Sequence, residues 1–290
     1  MRPSGARHGL GAATGDDGPA PGRVAKLDPA AVVARLRAAG CVFAEREADL
    51  LLAAGRSGTA LEHLVAQRVA GRPLEYVLGW AEFAGLRIPV TDGVFVPRRR
   101  SELLARLAGD AARDGAAAGR APVVADLCCG AGALGAAVAN AVPGVELHSA
   151  DIDPAAIDCA RRATAPFAGR VYVGDLYAAL PDRLRGHLDV LVVNAPYVPT
   201  GEIAFMPTEA RDFERPAALD GGPDGLVILG RVVAGAAEWL APSGTVLIEC
   251  AAHQSGALAD LVTAAGLLAG VHRDDDRDAT VVIGRRPWTR

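Results

Sequence analysis

Val124-Ala125-Asp126-Leu127-Cys128-Cys129-Gly130-Ala131-Gly132-Ala133-Leu134-Gly135 decides the fold. A short apolar strand runs into a tight glycine turn, and a helix of small residues starts behind it. Gly130 and Gly132 are expected to let a ligand approach the backbone, where a Cβ would collide with it. From there the pattern alternates outward. Strands are predicted over 123–127, 145–150, 170–173, 188–193 and 244–250, with helices over 132–141, 154–165, 226–240 and 254–265. Such alternation predicts a parallel sheet covered on both faces. Two last extended runs, 267–272 and 280–283, are joined by a short polar turn and are antiparallel neighbours. The result is an α/β, Rossmann-like, seven-stranded mixed sheet with its last strand antiparallel.

The segments before this sheet have another character. Residues 1–23 contain six Gly and three Pro with no apolar periodicity, and read as a disordered tail. Residues 24–73 read as a small helical domain for substrate binding, opened by Asp28-Pro29 as a helix start. Residues 74–97 read as a β-hairpin linker of short extended runs, Glu75–Leu78 among them, with Asp92-Gly93 as a turn signal. The sheet domain then spans 98–290. Ser101 is a plausible cap for a helix ending near residue 112, and a Gly/Ala-rich loop follows over 113–120.

A formal net charge of −4 argues against a general polyanion-binding surface. Nucleic acid is therefore expected as a partner only indirectly, if at all. No apolar window reaches the length of a membrane span. The five cysteines fit no zinc spacing, and no metal site is expected. Reduced cysteines suit a cytoplasmic protein, here expected to be a monomer.

Gly130, Gly132 and Gly135 satisfy G-x-G-x-x-G, a pattern with two readings. One is the dinucleotide fingerprint, with a pyrophosphate on the helix N-terminus. The other is the S-adenosylmethionine loop of class I methyltransferases, with no phosphate. The second strand ends at Asp151, whose carboxylate can accept both ribose hydroxyls of an adenosine under either reading. Asp153, just before Pro154, is read as a helix cap. The third strand ends at Asp175-Leu176, where Asp175 reads equally as a helix N-cap or, by resemblance to class I methyltransferases, as an acidic residue near the adenine. Asp126 sits at the end of the first strand, where an uncompensated carboxylate is costly; a donor's ammonium is a natural partner.

The fourth strand stops abruptly at Asn194-Ala195-Pro196-Tyr197. A core strand has no need of that ending, whereas a site at the carboxyl end of a parallel strand does. An amide nitrogen is a poor nucleophile because its lone pair is delocalised. The Asn194 side-chain oxygen and the Ala195 carbonyl can each accept one N–H of a primary amide and aim the lone pair outward. Pro196 fixes the backbone, and Tyr197 can pack against the substrate near developing positive charge. The gain is positioning and electrostatic preorganisation, with no general base required.

Asp-x-x-x-Gly-x-Gly followed by Asn-x-Pro-Tyr resembles the class I methyltransferases that act on planar amide or amine nitrogens. With Gly71–Gly79, Val96-Pro97-Arg98 and Glu209–Gly222, the chain is similar to the HemK/PrmC family over roughly residues 27–285. The resemblance implies transfer of a methyl group from S-adenosylmethionine to the N5 of a protein glutamine, with S-adenosylhomocysteine as product. It implies a peptide chain release factor, with its Gly-Gly-Gln glutamine, as partner. It places Asp126, Cys128, Cys129, Gly130, Ala131, Gly132, Asp151, Asp175, Leu176 and Asn194 at the donor, and Asn194 to Tyr197 with Arg98 at the substrate. The family's usual Asn-Pro-Pro-Tyr has Ala195 here, its Gly-Thr-Gly-Thr-Gly loop is Cys128 to Gly132, and Arg99 replaces a proline. These departures and the Ala/Arg/Gly-rich composition mark a divergent, actinobacterial-type paralogue. The alternatives kept open are N-methylation of a small molecule or a nucleic-acid base, an NAD(P)-dependent oxidoreductase, and a non-catalytic binding protein.

Overall fold

The computed structural model describes residues 28–54, 58–116 and 119–288, so the expected tail at 1–23 lies outside the described residues. The chain divides into two compact units, 1–66 and 67–290. The first holds α1 (Pro29–Ala38), α2 (Ala44–Ala53) and most of α3 (Thr59–Val69). Asp28 caps α1, accepting the Ala30 N–H at 3.1 Å, with Pro29 in the first turn where its missing N–H costs nothing. Val32, Leu36, Leu51 and Val65 are fully buried and form the helical core.

The second unit opens with α4 (Leu74–Leu78) and a hairpin of β1 (Trp80–Phe83) and β2 (Leu86–Pro89). Here one expectation fails. Glu75–Leu78 is helical, started behind Pro73 and stopped by Gly79 in the left-handed conformation (φ +82°). A four-residue apolar run carries no period of its own, and these flanks decide it. The hairpin turns at Ala84-Gly85, both at positive φ, and Asp92-Gly93 makes a second turn after it, closed by the Val94 N–H on the Thr91 carbonyl at 3.1 Å. Paired positive φ angles match the twist of the two strands.

A short turn, Arg99–Ser101, leads into α5 (Glu102–Ala116), which takes up the first residues of the expected loop. Then follow β3 (Val123–Leu127), α6 (Ala133–Ala141), β4 (Glu146–Asp151), α7 (Pro154–Thr164), β5 (Arg170–Val173), β6 (Leu188–Val193), α8 (Thr208–Phe213) and α9 (Val227–Trp239). The chain ends with β7 (Leu240–Glu249), α10 (Ser255–Ala264), β8 (Leu268–Asp274) and β9 (Ala279–Arg285). The sheet order is β5-β4-β3-β6-β7-β9-β8, with β9 antiparallel to both its neighbours. This is the class I methyltransferase sheet.

Burial on both faces explains the continuous apolar strands. Val190 and Val192 face α5 and α6, while Leu191 and Val193 face α9 and α10, and none of the four has exposed surface. The chain runs from β3 outward to β5 and then returns to β6 on the other side of β3. That reversal opens a crevice at the carboxyl ends of β3 and β6, where open α/β sheets bind ligands. Among the described residues no helix is long and apolar enough to cross a membrane.

Candidate active site

A cavity of about 660 Å³ occupies the crevice. One wall is the turn after β3, one is the end of β4, and one is the segment after β6. Cys128, Cys129, Gly130 and Ala131 line it, as do Asp151, Asp175 and Leu176. A Cβ on Gly130 would meet nothing within 4 Å, so this residue faces open space. Gly132 differs from expectation: its Cβ would lie 2.9 Å from the Ala160 Cα, so the neighbouring helix α7 demands glycine there, not a ligand. Gly132 also sits at φ +79°, where an L side chain is strained.

The Asp151 carboxylate accepts the Gly130 N–H at 2.8 Å and the Asp153 N–H at 2.9 Å. It braces the glycine turn while lining the cavity. Burial pushes its pKa up, opposed by those two N–H groups. Asp153 caps α7 through the Ala155 N–H, as its place before Pro154 predicts, and pairs with Arg215 at 2.7 Å. Asp175 pairs with Arg231 at 2.6 Å, beside Leu176 at a left-handed φ of +49°.

Asp126 does not reach the cavity wall. It points from β3 toward α6, accepts the Gly135 N–H at 2.9 Å, and leaves Oδ1 buried without a partner. Desolvation pushes its pKa up to about 7, with the Gly135 N–H opposing. Burial also raises the Cys128 and Cys129 thiols far above their ordinary range, so they line the turn as small apolar groups and not as nucleophiles.

Asn194, Ala195, Pro196 and Tyr197 line the cavity opposite the glycine turn. The Asn194 Nδ2 donates to Ser101 Oγ at 3.2 Å. Among the described residues nothing donates to the Asn194 Oδ1 or to the Ala195 carbonyl. Ala195 buries its methyl in the core on the α9 face, so only its backbone is presented. Tyr197 is held at both ends: its O–H donates to Glu249 at 3.2 Å, and its carbonyl accepts the Gln254 Nε2 at 2.8 Å. Arg98 lines the cavity, but its guanidinium is paired with the buried Glu214, which also accepts the Val96 N–H at 3.1 Å. It lies over the Phe95 ring at 5.0 Å and anchors the segment before α5.

Residues 112–210 match the family described as "Methyltransferase small domain". The release factor glutamine methyltransferase of Geobacter sulfurreducens is 32% identical over 229 residues, 78% of this chain and 78% of that protein. The chain belongs to the release factor glutamine methyltransferase family. It is also 35% identical, over 82% of each chain, to the 4-amino-L-phenylalanine/4-methylamino-L-phenylalanine methyltransferase of Streptomyces pristinaespiralis. The fold extends further, to the T. Thermophilus 16S rRNA N2 G1207 methyltransferase (TM-score 0.50, 20% identical, covering 71% of this chain and 49% of that one).

Sequence reading misses several residues that complete the site of this release factor glutamine methyltransferase family member. Glu249 stands at the end of β7, next to the end of β6, and is 2% exposed. An acidic residue closing an apolar strand is the signal that marked Asp151, and it marks Glu249 equally. Ser101, Glu214 and Gln254 carry no such mark, because their partners lie far along the chain. All four arginines on the cavity wall have an acidic neighbour: Arg98 with Glu214, Arg100 with Glu249 at 3.6 Å, Arg215 with Asp153, Arg231 with Asp175.

Proposed function

We propose that the protein transfers a methyl group from S-adenosylmethionine to the side-chain N5 of a protein glutamine, the Gly-Gly-Gln glutamine of a peptide chain release factor. The observation that carries this reading is the pair of unengaged acceptors, Asn194 Oδ1 and the Ala195 carbonyl, facing the glycine turn across one cavity. Each accepts one N–H of a primary amide, which turns the lone pair toward the donor side. The donor side fits an adenosine: Asp151 offers a carboxylate to ribose hydroxyls, Asp175 and Leu176 flank the next strand end, and Gly130 opens space. Bound there, S-adenosylmethionine supplies the methyl group, and S-adenosylhomocysteine is the product. Tyr197 offers a ring face to positive charge developing on the nitrogen. The nitrogen's proton becomes acidic as the methyl arrives and passes to water.

A neutral amide also suits the charges. Each of the four arginines on the cavity wall stands beside a carboxylate, which weakens its attraction for a free amino acid's carboxylate. The same pairing and the net charge of −4 disfavour a nucleic-acid backbone.

Mass spectrometry of release factors from cells with and without the protein tests the substrate. One methyl on the Gly-Gly-Gln glutamine, present only with the protein, is expected. Its absence, with turnover of 4-amino-L-phenylalanine in vitro, would transfer the reading to a small-molecule amine. The donor side has its own test. Asp151→Asn replaces an acceptor by a donor at a charge-assisted site, and should weaken S-adenosylmethionine binding about 30-fold, on the order of 2 kcal/mol. Calorimetric titration measures it; an unchanged Kd would remove Asp151 from the donor site.

A further inference from the structure

We infer that a second cavity beside Tyr197 is a subsite for the substrate's main chain, and that Arg100 and Glu249 bind there one peptide group next to the acceptor glutamine. This rests on the amide-methylation reading above and says how a polypeptide, as distinct from a bare amide, is held.

The second cavity has a volume of about 270 Å³. Arg100 and Tyr197 line both cavities, so the two share a wall, whereas Glu249 lines the second and not the first. Two buried atoms here lack partners. Neither Arg100 Nε nor Glu249 Oε2 makes a hydrogen bond among the described residues. The two side chains are neighbours, yet Arg100 Nε stands 3.6 Å from Glu249 Oε1, too far for a hydrogen bond. Oε1 is in use, accepting the Tyr197 O–H at 3.2 Å. A buried charged group with an unmade bond is costly, and a ligand that makes the bond gains by it.

The chemistry of that ligand follows from the two atoms. A cation would answer Oε2 and leave Nε without an acceptor. An anion would answer Nε but meet two carboxylates, since Asp278 lines the cavity beside Glu249. A peptide group is neutral and brings one N–H and one C=O, so it answers both. The Arg100 side chain is 40% exposed and that of Glu249 is 3% exposed. The guanidinium is therefore the part that shifts to admit the peptide, while the carboxylate stays fixed.

Tyr197 sets the scale. Its backbone belongs to the acceptor motif, and its hydroxyl reaches Glu249. A glutamine side chain spans most of that length. Laid alongside, with its amide at Asn194 and Ala195, it brings its own main chain to the Glu249 end. Ala252, His253 and Asp278 line the second cavity and are exposed, so a polypeptide can enter there from solvent.

A cycle between ligand and protein tests the subsite. A Gly-Gly-Gln peptide is titrated into the protein loaded with S-adenosylhomocysteine, so that no turnover occurs. The main-chain N–H groups of the glutamine and of its two neighbours are then replaced in turn by ester oxygens, which deletes a donor and keeps the shape. One of these esters is expected to bind about 10- to 100-fold more weakly than the parent, the range for a hydrogen bond to a charged group. In Glu249→Gln the Tyr197 O–H and Arg100 hold the remaining side-chain oxygen on the Oε1 side, so an NH2 takes the place of Oε2. The parent peptide should lose a similar factor there. The ester should then cost less than about twofold more, because both changes remove the same contact. Binding of S-adenosylhomocysteine within about threefold of the wild type checks that the variant is folded.

Ester peptides that all bind the wild type as tightly as the parent overturn the inference, and mean that water alone bridges Arg100 and Glu249. An ester that loses the same factor in both proteins also overturns it, because another acceptor then takes the N–H. The wild-type series needs no variant, so it decides the matter even if Glu249→Gln does not fold. A parent peptide that is bound and methylated while no ester matters leaves the proposed function standing without this subsite. A parent peptide that does not bind removes the release-factor reading and the subsite with it.

Discussion

Asn194→Ala is expected to lower kcat for amide methylation about 100- to 1000-fold, as removal of one preorganised polar group does in other active sites, while S-adenosylmethionine still binds within about tenfold of the wild type. Asn194 follows a strand with no exposed surface from Val190 to Val193, and Pro196 fixes the chain two residues on. Truncation therefore leaves the backbone where it is. The Ala195 carbonyl still accepts one N–H of the substrate amide, so positioning is halved and not abolished. What disappears is the second acceptor, and with it the preference for the rotamer that turns the nitrogen lone pair outward. In the proposed reading donor binding depends mainly on Asp151 and the turn after β3, which line the other wall of the cavity. Single-turnover kinetics with a Gly-Gly-Gln peptide, beside calorimetry with the donor, separates the two effects. A variant with near wild-type kcat would sink the role given to Asn194.

The sheet was legible because its signals are local. Val123–Leu127 and Leu188–Val193 are apolar runs with polar ends, and two-sided burial requires such runs. The abrupt change at Asn194 was legible for the same reason, since a buried strand has no use for Asn-x-Pro-Tyr. Features set by distant partners were not legible. Gly132 looked like a ligand cradle, but its missing Cβ answers Ala160 on α7. Asp126 looked like a donor contact because it ends a strand; its face of the pleat points to Gly135 and Ser149 and away from the cavity. Arg98 looked free for a substrate because Glu214, its partner, lies on the far side of the sheet sequence. Local pattern thus names the strand end that carries the chemistry. It does not name the Asn194–Ser101 and Tyr197–Glu249 contacts that hold that end, since each joins a different loop.

Gly225→Ala should cost both stability and turnover while sparing the donor site. Gly225 sits at φ +74°, where an L side chain costs about 1–2 kcal/mol. Its Cβ would overlap the Tyr197 carbonyl oxygen and the Gln254 Nε2. Gln254 is a clamp: its Nε2 donates to the carbonyls of Tyr197 at 2.8 Å and Asp224 at 3.0 Å, and its Oε1 accepts the Ala251 N–H at 3.0 Å. Gln254 is 3% exposed, so displacing it leaves buried carbonyls without a donor, each worth about 1–3 kcal/mol. Strain and lost bonds together come to roughly 3 kcal/mol or more, a fall in Tm of about 6–12 °C for a unit of this size. The displaced carbonyl belongs to Tyr197, so the ring loses its backbone anchor and keeps only the Glu249 contact at its hydroxyl. A fall in kcat of about 100-fold follows from that loosening. Gly130 and Asp151 lie on the other wall of the cavity, so the donor Kd should stay within about threefold. Thermal melting, turnover and donor titration on one preparation read all three. Unchanged melting and turnover would mean that the loop through Asp224 and Gly225 does not seat against Tyr197. Loss of donor binding alone would mean that the two walls of the cavity are not independent, and that the motif and the glycine turn move as one body.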